Sequence, residues 1–154
     1  MRPRLLASLA LAAALGACAD ATKVDWVEFR SAYRPSQVGL ASTEPVLLQA
    51  ADSCGDKAAL ASSFSGANPG SPLTFAVARP PDALYGYRLS LACAAESGGA
   101  TRVRAAFLVS ETRMSEAQAL TPAGAVPGDA QYRRFAYQLL AVMMPTRDPI
   151  IDDD

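Results

Sequence analysis

The sequence contains no histidine among its 154 residues. Without an imidazole, the chain lacks the usual general base near neutral pH and the commonest zinc ligand. It also lacks the Ser-His-Asp and Cys-His arrangements of many hydrolases. An enzyme that works with carboxylates, lysines or hydroxyls stays open, but it needs a recognisable constellation of side chains. We therefore expect neither a zinc site nor a histidine-dependent active site.

Charge is also scarce. Only 19% of the residues are charged, and 14 Lys+Arg against 15 Asp+Glu give a net charge of −1. A chain without a basic excess cannot neutralise the phosphates that provide most of the affinity for nucleic acid, so we expect no nucleic-acid partner. No cofactor-binding motif or metal-ligand spacing occurs, and we predict no cofactor and no metal. The length allows one domain.

Long hydrophobic runs are absent too, and the most apolar segment is short. Residues 5–15 follow Arg2 and Arg4 and precede the small residues Gly16 and Ala17. A helix that crosses a bilayer needs roughly 20 apolar residues, so a retained membrane-spanning anchor is the weaker interpretation. A basic start, a short apolar stretch and small residues are typical of a signal peptide, which we assign to residues 1–17.

The end of this segment reads Leu15-Gly16-Ala17-Cys18. It resembles the lipobox of bacterial lipoprotein precursors, and the resemblance covers residues 1–19 only. It implies cleavage before Cys18 and a diacylglyceryl group on the Cys18 thiol, with acylation, as by palmitate, of the new amino group. Two or three fatty chains hold a protein on a membrane far more firmly than one chain does. The alternative is an ordinary secretion signal that a cysteine follows by chance.

The residue after Cys18 carries a further implication of the same resemblance. Ala19, rather than Asp, stands there. In lipoproteins of Gram-negative bacteria this is similar to the signal for transfer to the outer membrane. The resemblance therefore places the protein in the cell envelope, lipid-anchored at the periplasmic face of the outer membrane, if the host is of that type.

Cys54 and Cys93 remain once Cys18 is assigned to lipid. Exported compartments favour disulfides, so we predict a Cys54–Cys93 bond. Closing a loop of about 40 residues stabilises a fold by roughly 4 kcal/mol in the chain-entropy model. Two separate buried thiols are the alternative. Because the spacing is not Cys-x-x-Cys, a redox site is not expected.

Alternation of apolar with small or polar residues predicts the strands. The clearest run, residues 85–93, is followed across Gly98-Gly99 by a second alternating run at 103–109, which predicts an antiparallel hairpin. Further candidates are residues 73–77, which end before Pro80-Pro81, and residues 46–48. Residues 24–29 are a fifth candidate that could instead form a short helix.

Helical periodicity appears once, near the C-terminus. Apolar residues recur at helical spacing from Tyr132 to Met143, which predicts an amphipathic helix over 130–144. Asp129 is a suitable N-cap and Pro145 marks the end. We expect the apolar stripe to cover one face of the sheet. A partner-binding or membrane-surface helix is the alternative.

The remaining segments are interpreted as connections. The Ser-, Gly- and Pro-rich residues 62–72 predict a surface loop, with a single helical turn at 56–61. Glu111 and Glu116 are predicted to be solvated on either side of a turn or short helix at Met114-Ser115. Ser53 and Lys57 lie four residues apart, not the three of a Ser-x-x-Lys nucleophile pair, and no catalytic role is assigned to them.

The C-terminal tail, residues 146–154, is acidic. It ends Ile150-Ile151-Asp152-Asp153-Asp154, without the alternating ligands and central glycine of a calcium loop. A solvated tail is the simplest interpretation. The alternative is a partner contact in which Ile150 and Ile151 enter a groove while Asp152, Asp153 and Asp154 meet basic groups.

These observations predict a signal peptide (1–17), a lipid-anchored tether (18–22), one α+β domain (23–145) and the tail. The domain is a small antiparallel sheet of about four to five strands with one C-terminal helix packed on it. For function we favour a membrane-anchored envelope lipoprotein that binds a protein partner or assists assembly without catalysis. The alternatives are a small-ligand or lipid-binding lipoprotein, a histidine-free enzyme that uses carboxylates, and cell-wall docking through Trp26 and Tyr33.

Overall fold

A computed structural model describes residues 22–67, 70, 72–79, 86–147 and 149. The predicted signal peptide, the predicted lipobox with Cys18, and the residues from Ile150 to Asp154 lie outside these described residues. Within the described part of the chain, side chains from the strands and helices share one hydrophobic core.

Among the described residues, six strands form one mixed sheet: β1 (Lys23–Phe29), β2 (Val46–Ala50), β3 (Phe75–Val77), β4 (Tyr87–Ala95), β5 (Thr101–Val109) and β6 (Thr112–Leu120). Their order across the sheet is β1-β6-β5-β4-β2-β3. The pairs β1–β6, β6–β5 and β5–β4 are antiparallel, whereas β2 is parallel to both of its neighbours, β4 and β3. The α+β class is confirmed, but the sheet has six strands and is not antiparallel throughout.

The parallel strands arise from a helix that the sequence did not predict at full length. Helix α2 (Lys57–Phe64) lies between β2 and β3, and parallel neighbours need such a crossover. Asp56 caps its N-terminus, and the Asp56 side chain accepts a hydrogen bond from the amide of Ala59 at 2.7 Å. The predicted loop at 62–72 is therefore wrong for residues 62–64, because α2 continues to the fully buried Phe64.

Strand β6 replaces the turn or short helix predicted at Met114-Ser115. The tight turn lies earlier, at Ser110-Glu111, and β6 runs back along β5. Its inward side chains include Ser115, Ala117 and Ala119, all fully buried. Their alternation was weak in the sequence because these side chains are small and alanine favours helices. A further short helix, α1 (Ser36–Ala41), was also not predicted.

The hairpin of β4 and β5 is confirmed. Leu89 pairs with Phe107 and Leu91 with Ala105, and all four side chains are buried. The connecting turn places Gly98 and Gly99 at φ of +81° and +82°, a conformation that other residues rarely adopt. Residues 24–29 lie in a strand, β1, and not in a helix.

The C-terminal helix is confirmed as α3 (Ala130–Met143). Its whole predicted stripe is buried and joins the core under the sheet: Tyr132, Phe135, Ala136, Leu139, Leu140 and Met143. Burial raises the pKa of Tyr132 to about 12. The end of α3 is held by Ser115, whose hydroxyl donates to the Met143 carbonyl at 2.5 Å, and by Tyr33, whose hydroxyl donates to the Pro145 carbonyl at 2.7 Å.

The cap of α3 gives a testable expectation. Asp129 accepts hydrogen bonds from the amides of Val126 at 2.9 Å and Tyr132 at 2.6 Å, and these bonds lower the pKa of its carboxyl below 3.8. We expect Asp129→Ala to lower the free energy of unfolding by about 1 kcal/mol, measured by urea unfolding at pH 7. Because the folded pKa is depressed, the ionised cap stabilises the fold above pH 3.8 and loses its effect as the pH falls below that value.

Asp129→Asn is the matched control, since asparagine caps helices about as well but does not titrate. The stability difference between wild type and the Asn variant should shift toward the variant below pH 3.8. Equal pH profiles for both proteins contradict the assigned role of the carboxylate.

Candidate functional site

The two predicted cysteines form a disulfide. Cys54 lies in a short 3₁₀ turn after β2 and is bonded to Cys93 in β4, with their Cα atoms 5.0 Å apart. Cys54 is buried and Cys93 is half-buried against the core. The bond links the turn after β2 to β4, the parallel neighbour of β2.

Ser53 and Lys57 have structural partners. The Ser53 hydroxyl donates to the carbonyl of Cys93 at 2.8 Å, and the Lys57 ammonium lies 3.1 Å from Asp52. The serine therefore supports the disulfide-bonded turn, and the lysine makes a surface ion pair. The two side chains do not form a nucleophile and base.

The sheet has one covered and one open face. Phe107 and its cross-strand partners Leu89 and Ser115 are fully buried on the side where the described helices join the core. Cross-strand partners share a face and successive residues alternate, so the row of Trp26, Gln118, Arg104 and Ala92 lies on the other side. We call this side the open face. Its other members include Leu47 and Gln49 (β2), Arg88, Ser90 and Ala94 (β4), Arg102 (β5), and Glu116 (β6).

A bulge in β1 builds one corner of this face. The register shifts between Val24 and Trp26, which leaves Asp25 as an extra residue. A bulge redirects side chains, and here both Asp25 and Trp26 reach open-face partners. Asp25 accepts hydrogen bonds from Arg102 at 2.5 Å and Gln118 at 3.1 Å. The guanidinium of Arg104 lies over the Trp26 ring, 5.6 Å from its centroid.

Glu116 lies at the centre of the charged network. Its side chain is only 6% exposed, and both carboxylate oxygens are occupied: Oε1 accepts from Arg104, and Oε2 accepts from Arg113 at 2.7 Å. The prediction of a solvated Glu116 is therefore wrong, because two long arginine side chains cover it. The sequence does contain polar residues at alternate positions, Arg102 and Arg104 in β5 and Glu116 and Gln118 in β6. Their proximity could be predicted only if residues 112–120 were recognised as a strand paired with β5.

Two guanidiniums of the network are held in place by carboxylates. Arg102 donates to Glu96 at 2.6 Å as well as to Asp25, and Arg104 donates to Glu116. These hydrogen bonds raise the pKa of both arginines above the ordinary value of a guanidinium. Both side chains therefore stay protonated at neutral pH and donate hydrogen bonds without abstracting protons. Such an arrangement favours binding over acid-base chemistry.

Trp26 is the single tryptophan and reports on this network. We expect Arg104→Ala to shift the fluorescence emission of Trp26 to longer wavelength, because the ring loses the guanidinium that covers it and meets water. Arg134→Ala, which removes an exposed arginine from α3, is the control and should leave the emission unchanged. An identical spectrum for the Arg104→Ala variant contradicts the contact.

Within the described ranges, no group of three or more Asp, Glu, Cys or His side chains is placed to hold a metal ion. Among the helices of those same residues, none has the length and apolarity to span a bilayer.

The sequence-predicted site residues separate into two sets. Cys54 and Cys93 are joined, whereas Cys18 and the tail residues Ile150, Ile151, Asp152, Asp153 and Asp154 lie outside the described part. The open-face network was not predicted as a site. Comparison with protein-family models, curated proteins and solved structures finds no match to this chain.

Proposed function

We propose that the protein is a lipid-anchored envelope lipoprotein whose folded domain binds another protein, as an accessory or assembly factor, and has no catalytic role. The observation that carries the proposal is the network of Trp26, Arg104, Arg113 and Glu116 on a sheet face that no described helix covers. Tryptophan and arginine are the residue types most enriched among the energetically dominant residues of protein interfaces.

The rigidity of the network supports this role. Arg104 is fixed by Glu116 and by the Trp26 ring, yet its side chain is 55% exposed. A side chain already held in one orientation loses less conformational entropy on binding than a free one. The Arg104 side chain on the open face is therefore preorganised for binding.

The position of the domain relative to the proposed anchor supports the same role. β1 begins at Lys23, five residues after Cys18. A linker of five residues reaches at most about 17 Å, so the domain stays close to the membrane surface. Partners in or on the same membrane then meet it at a high effective concentration.

Fractionation and crosslinking of cells test the proposal together. Lys23 and Lys57 are exposed and accept an amine-reactive crosslinker. We expect the wild type in the membrane fraction, in a defined crosslinked complex with an envelope protein, and Cys18→Ala released from the membrane with its fold intact. A wild type that is released like the variant contradicts the anchor. Recovery of a bound small molecule with no protein partner instead supports a ligand-binding lipoprotein.

A further inference from the structure

The charge balance of the open face identifies the chemistry of its partner. Arg102 is matched by two carboxylates, those of Asp25 and Glu96, whereas Arg104 and Arg113 share the single carboxylate of Glu116. Glu28, which also acts on Arg104, is paired with Arg30 at 2.9 Å. With that pair counted, the group around Arg104 and Arg113 keeps one net positive charge, whereas the neighbouring group around Arg102 is net negative by one. The side chains of Arg104 and Arg113 are 55% and 44% exposed. Guanidinium groups held in this manner match a carboxylate in two-point hydrogen bonds.

The strand beside Arg104 offers room for a partner. Ala92 pairs with Arg104 across the strands, and Ser90, Ala92 and Ala94 share the open face of β4. We call these three residues the β4 track. Its side chains are short, and Ala92 and Ala94 are exposed. Among the described open-face positions of β5, β4, β2 and β3, none is a carboxylate. The carboxylates of Glu96 and Asp25 lie near the Ala94 end of the track, where Arg102 binds both, so the unmatched positive charge is at the Ala92 end.

We propose that an acidic segment of a partner protein docks along the β4 track and places its carboxylates against Arg104 and Arg113. This inference rests on the proposed function and names the surface and the partner chemistry. One net positive charge is too little to hold a polyanion such as nucleic acid or an anionic membrane, which need several phosphate contacts. The small side chains of the β4 track, the Trp26 ring and the fixed guanidinium of Arg104 are instead suited to a segment of protein.

Site-directed photocrosslinking in intact cells tests the docking surface. The photoreactive residue replaces Gln49, an exposed residue that pairs with Ser90 beside the track, or Tyr137, an exposed residue on the opposite, helical side. We expect an adduct to one envelope protein from position 49 and none from position 137. The crosslinked peptide, mapped by mass spectrometry, should carry Asp or Glu.

Charge variants then test the recognition. Arg104→Glu should reduce the adduct at least tenfold, while Arg134→Glu on α3 should leave it unchanged. Because Arg104→Glu places a second carboxylate beside Glu116, Arg104→Met is a parallel variant that removes the charge alone, and it should also reduce the adduct. Exchange of the mapped partner acid for lysine should restore the adduct to the Arg104→Glu protein.

The outcomes separate this inference from the proposed function. A protein adduct from position 137 alone, or an adduct at position 49 that both Arg104 variants leave unchanged, overturns the docking surface and leaves a protein-binding role in place. A lipid or glycan adduct at position 49 overturns the partner chemistry. Absence of an adduct from both positions contradicts the inference and the proposed function together.

Discussion

Replacement of Cys54 and Cys93 with alanine should lower the free energy of unfolding by about 4 kcal/mol. The disulfide closes a loop with a sequence separation of 39, and the loop includes α2 and β3. Without the bond, the unfolded chain gains conformational entropy that the folded chain does not. Since small domains have only about 5–15 kcal/mol of stability in total, this loss is large. Urea unfolding under non-reducing conditions measures it.

Ser53→Ala is the matched control. It removes one hydrogen bond to the Cys93 carbonyl and keeps the disulfide, so it should cost only about 1 kcal/mol. Reduction of the wild type by a thiol should bring its stability down to that of the double-alanine variant. A double variant as stable as the wild type contradicts the stabilising role assigned to this bond.

Phe135→Ala should cost about 3–5 kcal/mol, the range for removing a buried aromatic side chain. Phe135 is fully buried on the inner face of α3, and its ring packs edge-on against that of Tyr132, with centroids 5.3 Å apart. Truncation leaves a cavity between the helix and the sheet, and the helix cannot close it without shifting. Thermal and urea unfolding of the purified domain measure the effect.

Tyr137→Ala is the control on the same helix. Its side chain is 45% exposed, so we expect a change well below that of Phe135→Ala. Equal losses for the two variants contradict the orientation of α3 on the sheet. If neither substitution lowers the free energy of unfolding, that orientation is contradicted as well, because the removal of a buried aromatic side chain should destabilise the fold.

The sequence predicted those strands and helices in which bulky apolar side chains recur at the spacing of a strand or of a helix. In β4 and β5, Leu89, Leu91 and Phe107 alternate with small or polar neighbours, and in α3 large residues recur at helical spacing. Burial of such side chains is the main favourable contribution to folding, so their pattern survives in the sequence. The pairing of Cys54 with Cys93 was predictable for another reason, the number of cysteines.

The elements that the sequence did not predict are rich in alanine and serine. In β6 and α2, residues such as Ala117, Ala119 and Ser63 are buried, but their small side chains leave little contrast between the two faces. The parallel pairing of β2 was missed for the same reason, because it depends on α2 as a crossover. Where side chains are small, tertiary packing decides the secondary structure more than local pattern does.

The candidate site depends on alignments between distant strands. Glu116 meets Arg104 because β6 runs beside β5 in one register, and Trp26 reaches Arg104 because a bulge in β1 shifts the register by one residue. Neither the register nor the bulge is marked by a local motif. The sequence therefore predicts the anchor, which stays a prediction, whereas the open face could be found only from the fold.

The proposed location and role depend most on the state of Cys18, since a lipid there would place everything after it in the envelope. The direct measurement is the mass of the protein extracted from membranes, with fragmentation of its N-terminus. We predict that residues 1–17 are absent and that the chain begins with Cys18 carrying a diacylglyceryl group. A chain that retains residues 1–17, or one that begins with an unmodified Cys18, contradicts the proposed lipid anchor.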